Sequence, residues 1–63
     1  MVKVESKILE QINKVRESGR VNMFARREVQ VVANDLECYS LVCYIEDYPE
    51  EYLDGVVGGF EEL

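Results

Sequence analysis

VESKILEQINKVRES, residues 4–18, decides the fold. Val4, Ile8, Ile12 and Val15 recur at intervals of four, four and three, with Leu9 beside them. That spacing draws a single apolar stripe down one side of an α-helix. Lys7, Glu10, Lys14 and Glu17 fall on the other faces, and Gly19 follows the last apolar position, where a left-handed C-cap is expected. A chain that opens with such a helix must bury the stripe against something, and the downstream periodicities supply it.

Val29, Val32, Ala33 and Leu36 stand at i, i+3, i+4 and i+7, predicting a second helix over 26–36. Leu41, Val42 and Ile45, with Cys38, form the inner side of a third over 39–47. Tyr48-Pro49 ends it, because proline disfavours a helical residue before it and suits the first turn of a new helix. Glu50 and Glu51 then occupy that first turn, where the helix dipole favours negative charge. A fourth helix over 49–57 carries Tyr52, Leu53, Val56 and Val57. The expected fold class is all-α: a small bundle of three to four short helices with no sheet. One helical domain spans 1–57, and 58–63 is read as a short flexible acidic tail after Gly58-Gly59. Ile8, Ile12, Val15, Met23, Phe24, Val29, Val32, Ala33, Leu36, Leu41, Val42, Ile45 and Leu53 are the expected core. Met23 and Phe24 enter it as a plug from the 20–25 connector, being too apolar for a solvated loop.

Sixty-three residues make one domain with a thin stability margin, since so short a chain buries only about 60% of its unfolded surface. Disulfides, a metal or a partner subunit are the usual supplements. Cys38 and Cys43 lie five residues apart on one predicted helix, roughly 140° apart in direction, too divergent to bridge. They are read as reduced, small apolar side chains, which suits a cytoplasmic setting. With no histidine and no CxxC pair, zinc has no usual ligand set, and the carboxylates lack the spacing of a calcium loop. No cofactor or metal is expected, and a partner subunit remains. No apolar run is long enough for a membrane span, and the charged N-terminus is unlike a secretory signal.

Charge is distributed by position. Residues 1–27 hold seven bases and three acids, a net +4; residues 28–63 hold ten acids and no base, a net −10, and together these give the −6 of the whole chain. Three arrangements fit: the basic first helix packs on the acidic last one; the basic half of one copy faces the acidic half of another; or the acidic surface is aimed at a basic partner. Direct nucleic-acid binding fits poorly. The second and third helices have helix-turn-helix dimensions, but ECYSLVCYIEDY (37–48) carries three acids and no Arg, Lys, Asn or Gln with which to meet phosphate or read bases. Catalysis fits poorly as well, because without histidine neither a serine triad nor a Cys–His pair can form. Gly58-Gly59 lacks the lysine and the following helix of a phosphate loop. The expected catalytic residues are therefore none.

INKVRESGRVNMF (12–24) followed by VQVVANDLECYSLVCYIEDYPEEY (29–52) resembles a family of small uncharacterised proteins of bacteriophages and prophages. Its pattern is Ser-Gly, then Asn-Met-Phe, Val-Gln, Ala-Asn, Tyr-x-Leu-Val and Tyr-Ile-Glu, and Ser18-Gly19 and Asn22-Met23-Phe24 are its most specific parts here. This chain departs from it at Ala25, where an acid is usual, and at Glu37-Cys38-Tyr39, where Gly-Phe-Tyr is usual. The resemblance implies a bacterial host cytoplasm and, by analogy with other small phage proteins, a non-catalytic protein that binds and inhibits or modulates a host protein, an anti-phage defence component being one such target. The alternative is a small regulatory or structural factor of phage replication or transcription.

Tyr44, Glu46, Asp47, Tyr48, Glu50, Glu51, Tyr52 and Asp54 are the expected partner-binding residues. The acids crowd the junction of the third and fourth helices, and the tyrosines recur at intervals of four, offering apolar faces with polar tips. A host protein with a basic surface is the expected partner, with a second copy of the chain as a further candidate.

Overall fold

The computed structural model describes residues 1–63. In chain order the elements are β1 (Val2–Val4), α1 (Ser6–Ser18), α2 (Arg26–Asp35), α3 (Tyr39–Asp47), α4 (Pro49–Gly58) and β2 (Phe60–Glu62). The four helices fall where the periodicities place them, within a residue or two. Gly19 caps α1 in the left-handed region (φ 65°), its N–H donating to the Arg16 carbonyl. Pro49 opens α4, with Glu50 and Glu51 in its first turn.

The core is continuous and draws on every helix. Val4, Ile8, Ile12, Val15, Val29, Val32, Ala33, Cys38, Leu41, Ile45 and Tyr52 are buried together. Met23, Leu36, Val42 and Leu53 pack around them half-buried. α3 is the central helix, packed against α2, α1 and α4.

The chain is mostly helical, but the expectation of no sheet is corrected. β1 and β2 pair in parallel, with Val2 opposite Phe60, Lys3 opposite Glu61 and Val4 opposite Glu62. The Val2 N–H donates to Gly59 O at 3.0 Å, and the Leu63 N–H donates to Val4 O at 2.9 Å. Val4 therefore belongs to a strand rather than to the first helix, yet it still buries on the same core. In place of the expected flexible acidic tail, Phe60 is held over the bundle: its ring lies 5.9 Å from that of Tyr52. Such a sheet has no local signature, because its two strands come from opposite ends of the chain and each spans three residues.

Phe24 corrects the core list in the other direction, being 57% exposed. Its N–H donates to Asn22 Oδ1 at 2.9 Å, so residues 22–24 form a tight side-chain-closed turn. Consecutive side chains diverge in such a turn, and Met23 takes the inward position. Cys38 is buried and Cys43 is exposed, so the two thiols face different ways.

Two contacts lock the helices to one another. Gln11 Oε1, on α1, accepts the Leu41 N–H at 2.8 Å. Leu41 is the third residue of α3, and no side chain at its own N-cap, Cys38, serves that end. A glutamine thirty residues away thus satisfies one of the N–H groups that a helix start leaves open. Glu37, in the α2–α3 corner, adopts a left-handed conformation (φ 61°), and the corner is closed by the Cys38 N–H donating to Ala33 O at 2.7 Å.

Candidate functional site

The α3–α4 junction gathers most of the expected partner-binding residues within one short stretch of surface. Glu46 and Asp47 end α3, Tyr48 is the hinge residue (φ −132°, ψ 58°), and Glu50, Glu51 and Asp54 run along the first turns of α4. Glu46, Asp47, Tyr48, Glu50 and Asp54 are exposed, and Glu51 is half-buried. A shallow groove lined by Asp47, Tyr48, Pro49, Glu50 and Glu51 follows the junction.

The two junction tyrosines form a pair. The Tyr44 and Tyr48 rings lie 5.9 Å apart at 36°. Tyr48 is 56% exposed, a large apolar face held out at the rim of the acids. Tyr44 is half-buried, and its hydroxyl is enclosed without a hydrogen-bond partner in the chain. Burial, reinforced by the negative charge of Glu51, pushes the Tyr44 phenol up to about 12.

Tyr52 does not belong to this surface. It is fully buried, and its hydroxyl donates to the Met23 carbonyl at 2.7 Å. Burial pushes its phenol up to about 12, with Arg16 acting in the opposite direction. The interval of four from Tyr48 to Tyr52 places residues on one face only within a continuous helix, and the chain turns at Tyr48-Pro49. Within α4 the informative spacing is Tyr52 to Gly55, three apart and both buried.

The electrostatic layout separates two of the arrangements considered above. The one ion pair within 4.0 Å in the chain joins Arg20 and Asp35, both half exposed to solvent. No base lies within that distance of Glu46, Asp47, Glu50, Glu51 or Asp54. α1, which carries Lys7, Lys14 and Arg16, packs on α3, α2 and β2 rather than along α4. The acids of the α3–α4 junction are therefore not neutralised from within by direct pairing. Gln30 Nε2, 3.5 Å from Glu46 Oε2, is the nearest polar relief the junction receives from α2.

No group of three or more cysteine or carboxylate side chains converges as a metal-binding set. No helix is long and apolar enough to cross a membrane. The chemistry this surface offers is that of five carboxylates beside an amphipathic ring: attraction to cationic groups and a platform on which a guanidinium or an apolar side chain can rest. The sequence reading missed the exposed apolar strip between α2 and α3, whose one available signal was Val31, a valine off the buried face of its helix.

No curated protein and no solved structure matches the chain. Residues 4–60 match the family described as Domain of unknown function (DUF5049), and the chain belongs to that family.

Proposed function

We propose that this is a phage-encoded, non-catalytic protein that binds a host protein through the α3–α4 junction and thereby inhibits or modulates it. One observation carries the reading: five carboxylates at that junction have no base within 4.0 Å, and an exposed tyrosine stands among them. Like charges crowded on a small domain repel one another, and an opposing basic surface relieves that repulsion. The steering is long-ranged and sets orientation, while Tyr48 supplies the desolvated contact that charge alone does not. The partner that fits is a host protein with a lysine- or arginine-rich face, of the kind that nucleases and helicases of bacterial defence use to hold phosphate. The absence of histidine from the chain supports a binding role over a catalytic one. The same acidity argues against direct contact with duplex DNA. The proposed setting is the host cytoplasm.

The test is a pull-down from host lysate with the immobilised full chain, eluted by a salt gradient and read by mass spectrometry. The expected result is a basic host protein released as salt rises, since a contact made by exposed charges is screened. Recovery of phage replication or transcription proteins instead would move the reading to a regulatory factor. A capture indifferent to salt would remove the acidic junction from the interface.

A further inference from the structure

The largest concave surface of the chain is a groove between α2 and α3. Its floor and walls are Gln30, Val31, Val42 and Cys43, and Arg27 and Glu46 mark its two sides at one end. Val31 is 63% exposed, a β-branched apolar side chain facing water from the middle of a helix whose own buried face is Val29, Val32 and Ala33. Gln30 closes the bottom, its Nε2 donating to the Val42 carbonyl at 3.1 Å. This surface is apolar at the centre and polar at the rim, the layout of a protein–protein contact.

Charge identifies what covers it. The whole chain carries −6, so two copies repel at most orientations. The part of the α3–α4 junction that carries Asp47, Glu50, Glu51 and Asp54, with no base beside them, is closed to self-docking for that reason. The α2–α3 groove is different: among its lining residues are one base, Arg27 on α2, and one acid, Glu46 on α3, and they do not pair with each other within the chain. The lining is locally neutral and its two charges sit on opposite walls. A two-fold axis running along the groove swaps the walls, laying α2 of each copy on α3 of the other. Arg27 of each copy then meets Glu46 of the second copy, twice by symmetry, while Val31 of each copy packs on Val42 and Cys43 of the other. That is the self-complementarity a closed two-fold contact demands. A domain of this size also gains most from burying a further apolar strip against a subunit.

We propose that the α2–α3 groove is a homodimer interface, held by Val31 at its centre and by reciprocal Arg27–Glu46 pairs at its edge. The acidic junctions of the two copies remain outside it, except for Glu46. The dimer takes up Glu46 and leaves Asp47, Glu50, Glu51 and Asp54 of each copy free to meet a host protein.

The test is the solution mass of the full chain by sedimentation equilibrium over a concentration series. The expected mass is that of two chains. Val31→Glu should halve it, with the helical circular dichroism unchanged because Val31 lies outside the core. Arg27→Glu alone and Glu46→Arg alone should each weaken the dimer, since each sets like charges face to face. The double reversal R27E/E46R should restore it, an outcome that a merely folding-related effect does not produce. A parent chain that stays monomeric at every soluble concentration overturns the proposal. So does a dimer that survives Val31→Glu, or one whose double reversal remains as weak as the singles.

Discussion

The Phe60 ring lies directly over Gly55, in the place a side chain at 55 would occupy. A Cβ built at Gly55 would overlap the Phe60 ring atoms Cε1, Cζ and Cδ1. Gly55 is buried in the middle of α4, a position where glycine ordinarily weakens a helix by about 0.5–1 kcal/mol relative to alanine. Its presence is explained by the close approach it permits: Phe60 fills the gap, stacks beside Tyr52 and so holds β2 against β1.

Gly55→Ala should therefore destabilise the domain despite the gain in helix propensity. Overpacking of this kind costs about 1–3 kcal/mol, larger than the propensity gain. Thermal melts of the parent and the variant check it. An unchanged or raised melting temperature would show that Phe60 moves aside without loss and that the sheet contributes nothing to the fold.

Tyr52 ties α4 to the connector before α2 through its hydroxyl, which donates to Met23 O. Tyr52→Phe leaves that carbonyl without its partner and should cost about 1–3 kcal/mol. It should also change the alkaline limb of stability. The phenols of Tyr44 and Tyr52 are raised from 10.0 in the unfolded chain to about 12 in the fold. A raised pKa means that the fold favours the protonated form. The stabilisation is complete below pH 10 and is lost as pH rises through about 12. Denaturant melts from pH 9 upward should show stability falling across that window, with a shallower fall in Tyr52→Phe. Parallel curves for parent and variant would mean that Tyr52 ionises as freely in the fold as out of it.

Gln11→Ala should loosen the start of α3. Without the Gln11 Oε1 acceptor, the Leu41 N–H has no capping partner from this chain, and the loss of a cap costs about 1 kcal/mol. Amide hydrogen exchange reads the effect locally. Exchange at Leu41 should accelerate about tenfold for each 1.4 kcal/mol lost there, with smaller changes in α2. Equal acceleration throughout would indicate a general loosening rather than a missing cap.

Glu37→Gly should stabilise the protein. Glu37 sits at φ 61°, where a side chain is disfavoured by about 1 kcal/mol or more. Glycine takes that conformation without the clash. A melting temperature raised by a few degrees is the expected reading. A decrease would mean that the flexibility of glycine in the unfolded chain outweighs the relief of the turn.

The helices were legible because each announces itself locally. Ile8, Ile12 and Val15 repeat at helical spacing, and Gly19 and Pro49 mark boundaries by backbone geometry alone. What was not legible depends on residues far apart in the chain. The β1–β2 pairing joins positions 2–4 to 60–62, and the Gln11 cap crosses thirty residues. Neither leaves a periodic trace. The candidate site divides the same way. Glu46, Asp47, Glu50 and Asp54 stand exposed because nothing apolar recommends burying them, while Glu51 is half-buried. Tyr52 was misassigned because an interval counted through Tyr48-Pro49 is not an interval along one helix. Phe24 was misassigned because hydrophobicity alone does not say which of two adjacent residues in a tight turn faces inward.

The proposed host-binding surface and the core beneath it can be told apart by substitution. Tyr48 is exposed and Tyr52 is buried, although both are tyrosines four residues apart. Tyr48→Ala removes an outward-facing ring without opening a cavity in the core, so the helical circular dichroism should hold. A desolvated tyrosine at an interface commonly contributes 2 kcal/mol or more, so affinity for a captured host partner should fall roughly thirtyfold. Glu50→Lys with Glu51→Lys should weaken the same contact through slower association, and the weakening should fade as salt screens the charges. Tyr52→Ala, by contrast, empties a buried site and should unfold the domain or come close to it, at about 3–5 kcal/mol for a large aromatic. The contrast is measured by titrating the partner against each variant and melting each variant alone. If Tyr48→Ala binds as tightly as the parent while remaining folded, the junction is not the contact. The basic face of α1, with Lys7, Lys14 and Arg16, then becomes the surface to vary, and a partner with an acidic face becomes the one to seek.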